Sequence, residues 1–478
     1  MFVPKFLLFC GLALMFTGGF ASKPFAATID LVPVRVLIDV RSTHSDGKHD
    51  MATLIHLAEK RGIDALAFTE HDRVSIRFGI EPIANILGYS MQHPSLYTTG
   101  LKDFFSALDR QILQHPNIQL FAGTESMPGY TWSGVPFKNL SLHHADRHLI
   151  TLGIEKPEQV EGLSSYDLSY AHGHQGISLI FWSLLFLVIM GVLIYCRQQK
   201  WAGLLAVSFT VLLILWLTKM DADEGADEAF MQSAHQQGLF VIWAHPGTLS
   251  GVRSGPMGIK LNTPPYNQRV FEEPTADAFA ALYGESDQNT LAGGLWDQYM
   301  MGYMLGVHEK PIWAVAAGDY HEEGMANEYL GNFPMDVWAT SKKTKAILAA
   351  MQQGHMVAWG MKKDQNISLR TLYLEDANGL RLMPGDEAHV RAPLHVVVAL
   401  TEAFQSASAD KKYPKFFLGE WIIDGKLIQT TPLRIDSEQS PAHLFDVKLA
   451  VEKGGHVIRL QIKQGLRMVA NPFLVHVE

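Results

Sequence analysis

Five times in this chain a short apolar run leads into a side chain able to bind a metal: Val34 into Asp39, Ala65 into Glu70 and His71, Ile118 into Glu125, Leu239 into His245, and Ile312 into Asp319, Tyr320 and His321. A sixth run, Leu149-Ile150, directly follows His148. Imidazoles and carboxylates that converge hold divalent ions, and such ions acidify water and neutralise anionic charge, which is the chemistry of ester hydrolysis. Short buried strands each delivering His, Asp or Glu to one rim are what a barrel of parallel strands provides, because its functional groups sit where strands end. A metal-dependent hydrolase is therefore the first expectation.

The composition narrows the chemistry. There are 21 histidines and 2 cysteines, and Cys10 and Cys196 lie far apart in apolar segments, so any metal must be held by nitrogen and oxygen. A formal charge of -9 with no basic run gives no reason to expect nucleic acid as a partner. No protein partner can be inferred. At 478 residues the chain is long enough for two domains, one of them large.

The elements that must position these residues alternate. Met51 to Arg61 reads as an amphipathic helix ended by Gly62, and Ile63 to Phe68 as a buried strand. Further helices, Leu101 to Gln114 and Asp227 to Gln237, precede the strands Ile118 to Ala122 and Leu239 to Ala244. From about Asn366 helical patterns nearly vanish. Short strands such as Leu372 to Leu374, Val396 to Leu400, Phe416 to Ile423, Val447 to Val451 and Ile458 to Ile462 are joined by turn signals at Asn378-Gly379 and Asp424-Gly425, the pattern of an immunoglobulin-like sandwich.

The segment from Asp39 through Arg41, His44, Ser45, Asp46 and Gly47, followed by Phe68-Thr69-Glu70-His71-Asp72, resembles the PHP family, the polymerase and histidinol phosphatase domain. That family has two histidines one apart, then Ser-Asp-Gly, then Thr-Asp-His-Asp. Gly123-Thr124-Glu125, the run Arg147 to Gly153, Trp243 to Gly247 and Ala317 to His321 correspond, in order, to its later Glu, His, His-Pro and Asp-x-His motifs. The resemblance spans roughly Val34 to Gly360. The stretch Lys345 to Gly354 and the β-rich tail are also similar to the extracytoplasmic, phosphoesterase-like branch of the family.

This resemblance implies a distorted (β/α)7 barrel with up to three divalent ions at its strand ends. Glu125 would bridge two ions, with His148 and His245 completing one. Asp46, His71 and His321 would hold another, and Asp319 with Asp39 of the first motif the third. The ligand mixture suits Zn, Mn or Fe without choosing among them. The first motif departs from the family, since its two histidines fall on Asp39 and Arg41. Asp39 can still ligate, whereas a guanidinium cannot. Either the third ion is lost and Arg41 supplies a fixed catalytic charge, which is the favoured reading, or His44 moves in by a register shift. Glu70, where the family has Asp, and Asp72 are candidates to support the ligands, and Asp72 is also taken as catalytic. His143 and His144 read as rim or surface residues, and Trp296, Tyr299, Met300, Met301 and Met304 as core. The expected substrate is a small phosphorylated compound or other ester; the alternatives are a carboxylic ester or amide hydrolase, and a non-catalytic anion-binding sensor.

Three apolar segments bear on location. Phe6 to Phe20 suits a signal peptide or uncleaved anchor. Gly176 to Cys196 and Trp201 to Leu217 read as two membrane spans around a loop carrying Arg197 and Lys200, which would tether the barrel to a bacterial-type inner membrane with its catalytic part facing the periplasm or exterior. The expected division is a leader or anchor at 1–27, barrel at 28–175 and 219–364, an inserted transmembrane helical hairpin at 176–218, and a β-sandwich at 365–478.

Overall fold

The computed structural model describes residues 31–478 except 80–87, most of 165–224, 403–415, 437–443 and the loop positions 136, 256–257, 273–274, 284–287, 326–327 and 364. The segment 1–27 lies outside the described residues, as does most of 176–218.

Nine strands frame the site: Val32–Val40 (β1), Ala65–His71 (β2), Gln119–Ser126 (β3), Leu149–Ile154 (β4), Phe240–Trp243 (β5), Ala278–Leu282 (β6), Trp313–Ala316 (β7), Met335–Ala339 (β8) and Met356–Gly360 (β9). Between β1 and β2 lies α1, Met51–Lys60, which buries Leu54, Ile55 and Ala58 and is capped where Thr53 N–H donates to Asp50 Oδ1 at 2.8 Å. It ends where Gly62 takes a φ of 69°. Leu101–Gln114 (α2), Ala226–Gln236 (α3), Leu295–Met304 (α4) and Thr344–Gln352 (α5) follow. Trp296, Tyr299 and Met300 of α4 are buried in the core, as their helical spacing predicts, whereas Met301 and Met304 are only partly buried against it. Residues on both faces of β2 are buried, the mark of a parallel strand covered on both sides.

β1, β2 and β3 are parallel, and so are β5, β6 and β7. β4 runs antiparallel to both β3 and β5 and sits between these groups, while β8 is antiparallel to β1. A parallel bridge between Val40 and Tyr320 brings the end of β1 to the residues just after β7. The expected distorted (β/α)7 barrel is thus corrected to a mixed sheet. The reason is local: His148 precedes its apolar run, so that strand departs from the rim where the others arrive.

Two further corrections concern the rest of the expected fold. No transmembrane hairpin is seen: among the described residues no helix is long and apolar enough to cross a membrane. Charge-free length is necessary for a span but not sufficient. The β-rich tail is not a sheet apart from the strands that frame the site, since Val357 to Gly360 of β9 pair antiparallel with Arg467–Ala470, and among the described residues these strands form one connected sheet of 19. Within the tail, Phe416–Ile423 forms a hairpin with Lys426–Asp436 across Asp424-Gly425, both at positive φ as a tight two-residue turn requires.

The tail is held to α4 by a buried ion pair. Arg459 Nε and Nη2 donate to Asp297 Oδ1 and Oδ2 at 2.6 and 2.8 Å, and its guanidinium lies over the Trp296 ring. Both partners are essentially without exposed surface, so removing one strands the other's charge. Arg459→Ala is expected to cost about 3–5 kcal/mol in chemical denaturation. The double variant Arg459→Met, Asp297→Leu should recover most of that loss; equal loss in both would mean that packing, not stranded charge, sets the cost.

Candidate metal centre

The site is built where β1, β2, β3 and β5 end. Between β1 and β2 the register slips by one residue after Leu37, and Asp39 adopts a φ of 63°. Such a bulge re-aims a side chain, and here it lets Asp39 Oδ2 accept from Asp319 N–H at 2.7 Å. Val40 N–H donates to Thr69 Oγ1 and Arg41 N–H to Tyr320 O, which fixes this stretch against β2 and the segment after β7. The turn that follows requires Gly47, because a Cβ there would meet the Arg41 carbonyl oxygen at 2.2 Å. Glu70 organises the same turn from beneath: Ser42 N–H and Ser42 Oγ donate to its carboxylate, and Ser45 Oγ donates to Oε2. Asp46 is presented as a result.

Register places the remaining groups together. His71 of β2 lies directly opposite Glu125 of β3, so the two side chains leave the sheet on the same side. Ser126 faces Leu149 across the antiparallel pair, which sets His148 next to Glu125, and Ala244 N–H donates to His148 O at 3.1 Å, bringing His245 alongside. Three groups result, each with ligand atoms within 4.8 Å of one another: Asp46, His71 and His321; Glu125, His148 and His245; and Asp39, Glu125 and Asp319. All eight residues expected as ligands are therefore brought together. Asp72 belongs to none of the groups; its carboxylate accepts from Arg73 N–H and Nε, and Arg73 is held in turn by the Val160 and Leu163 carbonyls. His143 is engaged with Ser133 Oγ and Asn262 Nδ2 instead.

Hydrogen-bond roles test whether a cation fits. A backbone carbonyl can only accept, so His148 must donate from Nε2 to Ala145 O (3.2 Å), His71 from Nδ1 to Glu125 O (3.3 Å), and His321 from Nδ1 to Asp319 O (2.7 Å). Each ring then turns its other nitrogen to a carboxylate oxygen: His148 Nδ1 to Glu125 Oε1 at 3.0 Å, and His71 Nε2 and His321 Nε2 to Asp46 Oδ2 at 3.5 and 3.2 Å. His245 Nε2 also faces Glu125 Oε1, at 3.1 Å. Lone pairs face lone pairs unless a proton or metal ion lies between, and these separations match ligand edges around an ion with bonds of about 2.0–2.2 Å. The first two groups fit divalent ions, that of Asp46, His71 and His321 with Arg41 Nη1 at its edge, 3.2 Å from His321 Nε2. The third does not, because Arg41 lies among its carboxylates with Nη1 2.6 Å from Asp319 Oδ1 and Nη2 3.7 Å from Asp39 Oδ1 and in contact with Glu125 Oε2.

Protons compete for the same places. Burial, with the neighbouring His245, pushes His148 down to about 4. Burial and Arg41 work against a proton on His321, but the hydrogen bond to Asp46 and the charges of Asp319 and Asp46 outweigh them and raise it. Asp46 is held well below the usual carboxylate range: burial opposes ionisation, and the hydrogen bond from His321 with the charges of His71 and Arg41 overcomes it. Glu328, which no sequence pattern singles out, is half-buried in the loop after His321, and its carboxyl is pushed up to about 8 by burial and then by Asp319 and Asp39.

In the metal-free protein His148 should titrate near 4, and His321 above an ordinary histidine, in an NMR titration of the imidazole signals. Since the unfolded chain takes up the His148 proton near 6.5 and the folded chain only near 4, metal-free stability should fall on this account as the pH drops between those values, and be complete above them. Titration of His148 with His321 in one ordinary step would contradict this.

No family model and no curated protein matches the chain. Among solved structures it is similar to a two-domain Bacteroides vulgatus protein containing a PHP-like metal-dependent phosphoesterase, with 12% identity, 91% of each chain covered and a TM-score of 0.39. It is also similar to a Bifidobacterium adolescentis protein named as a metal-dependent phosphoesterase (11% identity, 66% of this chain and 96% of that one, TM-score 0.28). A third is a Chromobacterium violaceum amidohydrolase (15% identity, 61% and 89% covered, TM-score 0.26). At such TM-scores these likenesses carry no argument, and function rests on the side chains.

Proposed function

We propose that this protein is a metal-dependent hydrolase of a phosphoester, with divalent ions at Glu125, His148 and His245 and at Asp46, His71 and His321. The observation that supports it is the set of histidines each donating one N–H to a backbone carbonyl while aiming the other nitrogen at a carboxylate oxygen. What ions in those places supply is a water acidic enough to ionise near neutral pH and a positive field for the charge of a transferred phosphoryl group. The ligand set is compatible with Zn, Mn or Fe.

The chain's own groups do the rest. The carbonyls of Ala145, Glu125 and Asp319 fix the tautomers of His148, His71 and His321, so the ligand nitrogens are aimed before anything binds. Asp319 stays ionised, because Arg41, His245 and His321 overcome the effect of burial, and its half-exposed carboxylate can accept a hydrogen bond from an incoming water. A carboxyl pushed up to about 8 by burial and by Asp319 and Asp39, that of Glu328, suits a proton donor to the leaving oxygen. Asp72, bound to Arg73, keeps a supporting place in the chain following His71.

The test is hydrolysis of an aryl phosphate and an aryl carboxylate by purified protein with Zn, Mn or Fe added. Faster phosphate hydrolysis, reduced about 10³-fold or more in kcat/KM by His245→Ala, is expected. Preference for the carboxylate would redirect the substrate class, and no turnover with any ion would sink the enzyme reading. Glu328→Gln should lower kcat by about 10²-fold or more at unchanged metal content, as loss of a proton donor does. An unaltered kcat would assign the proton to another group.

A further inference from the structure

We infer that the Arg41 guanidinium is a permanent, built-in cation occupying the place among Asp39, Glu125 and Asp319 where a third metal ion would otherwise sit. The three carboxylates have ligand atoms within 4.8 Å of one another, a spacing that serves an ion. Arg41 has no exposed surface and fills that space: Nη1 donates to Asp319 Oδ1 at 2.6 Å, Nη2 lies 3.7 Å from Asp39 Oδ1 and touches Glu125 Oε2, and Nε is 3.8 Å from Asp46 Oδ1. A planar fork bearing five N–H donors can answer several carboxylates at once, and it leaves no room for an ion needing oxygens at about 2.0–2.2 Å.

The backbone keeps it there. Arg41 N–H donates to Tyr320 O within the bridge that joins β1 to the segment after β7, and Gly47 packs against the Arg41 carbonyl. Four carboxylates, Asp39, Asp46, Glu125 and Asp319, converge on this side chain, and without a cation they would repel one another. Unlike a metal ion, the guanidinium cannot be removed by chelator or acid. It also offers no open coordination position, so it neutralises and positions but activates no water. Arg41 is on this reading a positioning residue: one oxygen of Glu125 answers a fixed charge while the other faces His148 and His245.

The inference builds on the proposed ion sites, and the experiment separates the two. Metal content after equilibrium dialysis against Mn²⁺ or Zn²⁺ is compared between the natural protein, the double variant Asp39→His, Arg41→His, and Arg41→Lys. The double variant is expected to hold one more equivalent than the natural protein, and Arg41→Lys no more than the natural protein. An unchanged count in a double variant that folds by circular dichroism would overturn the inference. Crystals of the natural protein soaked in Mn²⁺ decide the matter even if that variant does not fold. Anomalous density at Glu125, His148 and His245 with none among Asp39, Glu125 and Asp319 supports it, and density in the latter place overturns it. Absence of density everywhere would count against the proposed hydrolase, leaving the gain of an ion by the double variant to decide the role of Arg41.

Discussion

A carboxylate with no exposed surface must be matched by charge, by hydrogen bonds or by its own proton, and Glu125 is the point at which this requirement shapes the molecule. Its Oε1 faces His148 and His245, its Oε2 touches Arg41, and its backbone carbonyl accepts from His71 Nδ1 and Asp72 N–H. Each contact draws in a different strand end. β1 contributes the guanidinium, β2 the histidine opposite, β4 and β5 the two histidines that flank Oε1. The mixed order of the sheet serves this convergence, since only an antiparallel β4 can begin at the rim with His148 and still lie between β3 and β5.

Holding so many polar groups at one point has a conformational cost. Asp39, His245 and Asp319 all have positive φ, at 63°, 28° and 47°, which for residues other than glycine costs on the order of 1–3 kcal/mol each. The surrounding structure over-determines these conformations. Asp39 is locked to Asp319 through the bulge of β1, the turn after Arg41 is held by Glu70, and the strands beneath are packed on both faces by one continuous apolar core. The tail contributes to this rigidity through β9 and through Arg459 at α4, so a region without any of the three ligand groups still stiffens the frame that carries them.

Much of this was legible in the sequence because the relevant signals are short-range. The helix Leu101–Gln114 begins and ends where its apolar spacing does, and Phe416–Ile423 is bounded by an apolar run and the Asp424-Gly425 turn. Seven of the eight ligand candidates could be collected because each stands at the end of an apolar run or just before one; Asp46 came only with the resemblance of Ser45-Asp46-Gly47. What sequence could not supply was direction and pairing. The antiparallel course of β4 was hinted at only by His148 preceding its run. The pairing of β9 with Arg467–Ala470 joins residues more than a hundred apart, which no local pattern reports. The segment 176–218 was read as a hairpin from apolar length alone, and most of it lies outside the described residues. No local pattern shows that Arg73 pairs with Asp72, and Glu328 lies in a loop without periodicity. Arg41, expected from sequence to supply a fixed catalytic charge, has no exposed surface in the fold and faces the carboxylates.

The most direct test of Glu125 as the hub is its replacement by Gln, read as metal content and as thermal stability of the metal-free protein. A neutral amide matches neither the two histidines with an ion between them nor the guanidinium. The account predicts loss of the ion at His148 and His245, retention of the one at Asp46, His71 and His321, and a lower Tm without metal because Arg41 loses a buried counter-charge. Full metal content at an unchanged Tm would show that the strand ends assemble without this carboxylate and would contradict the account.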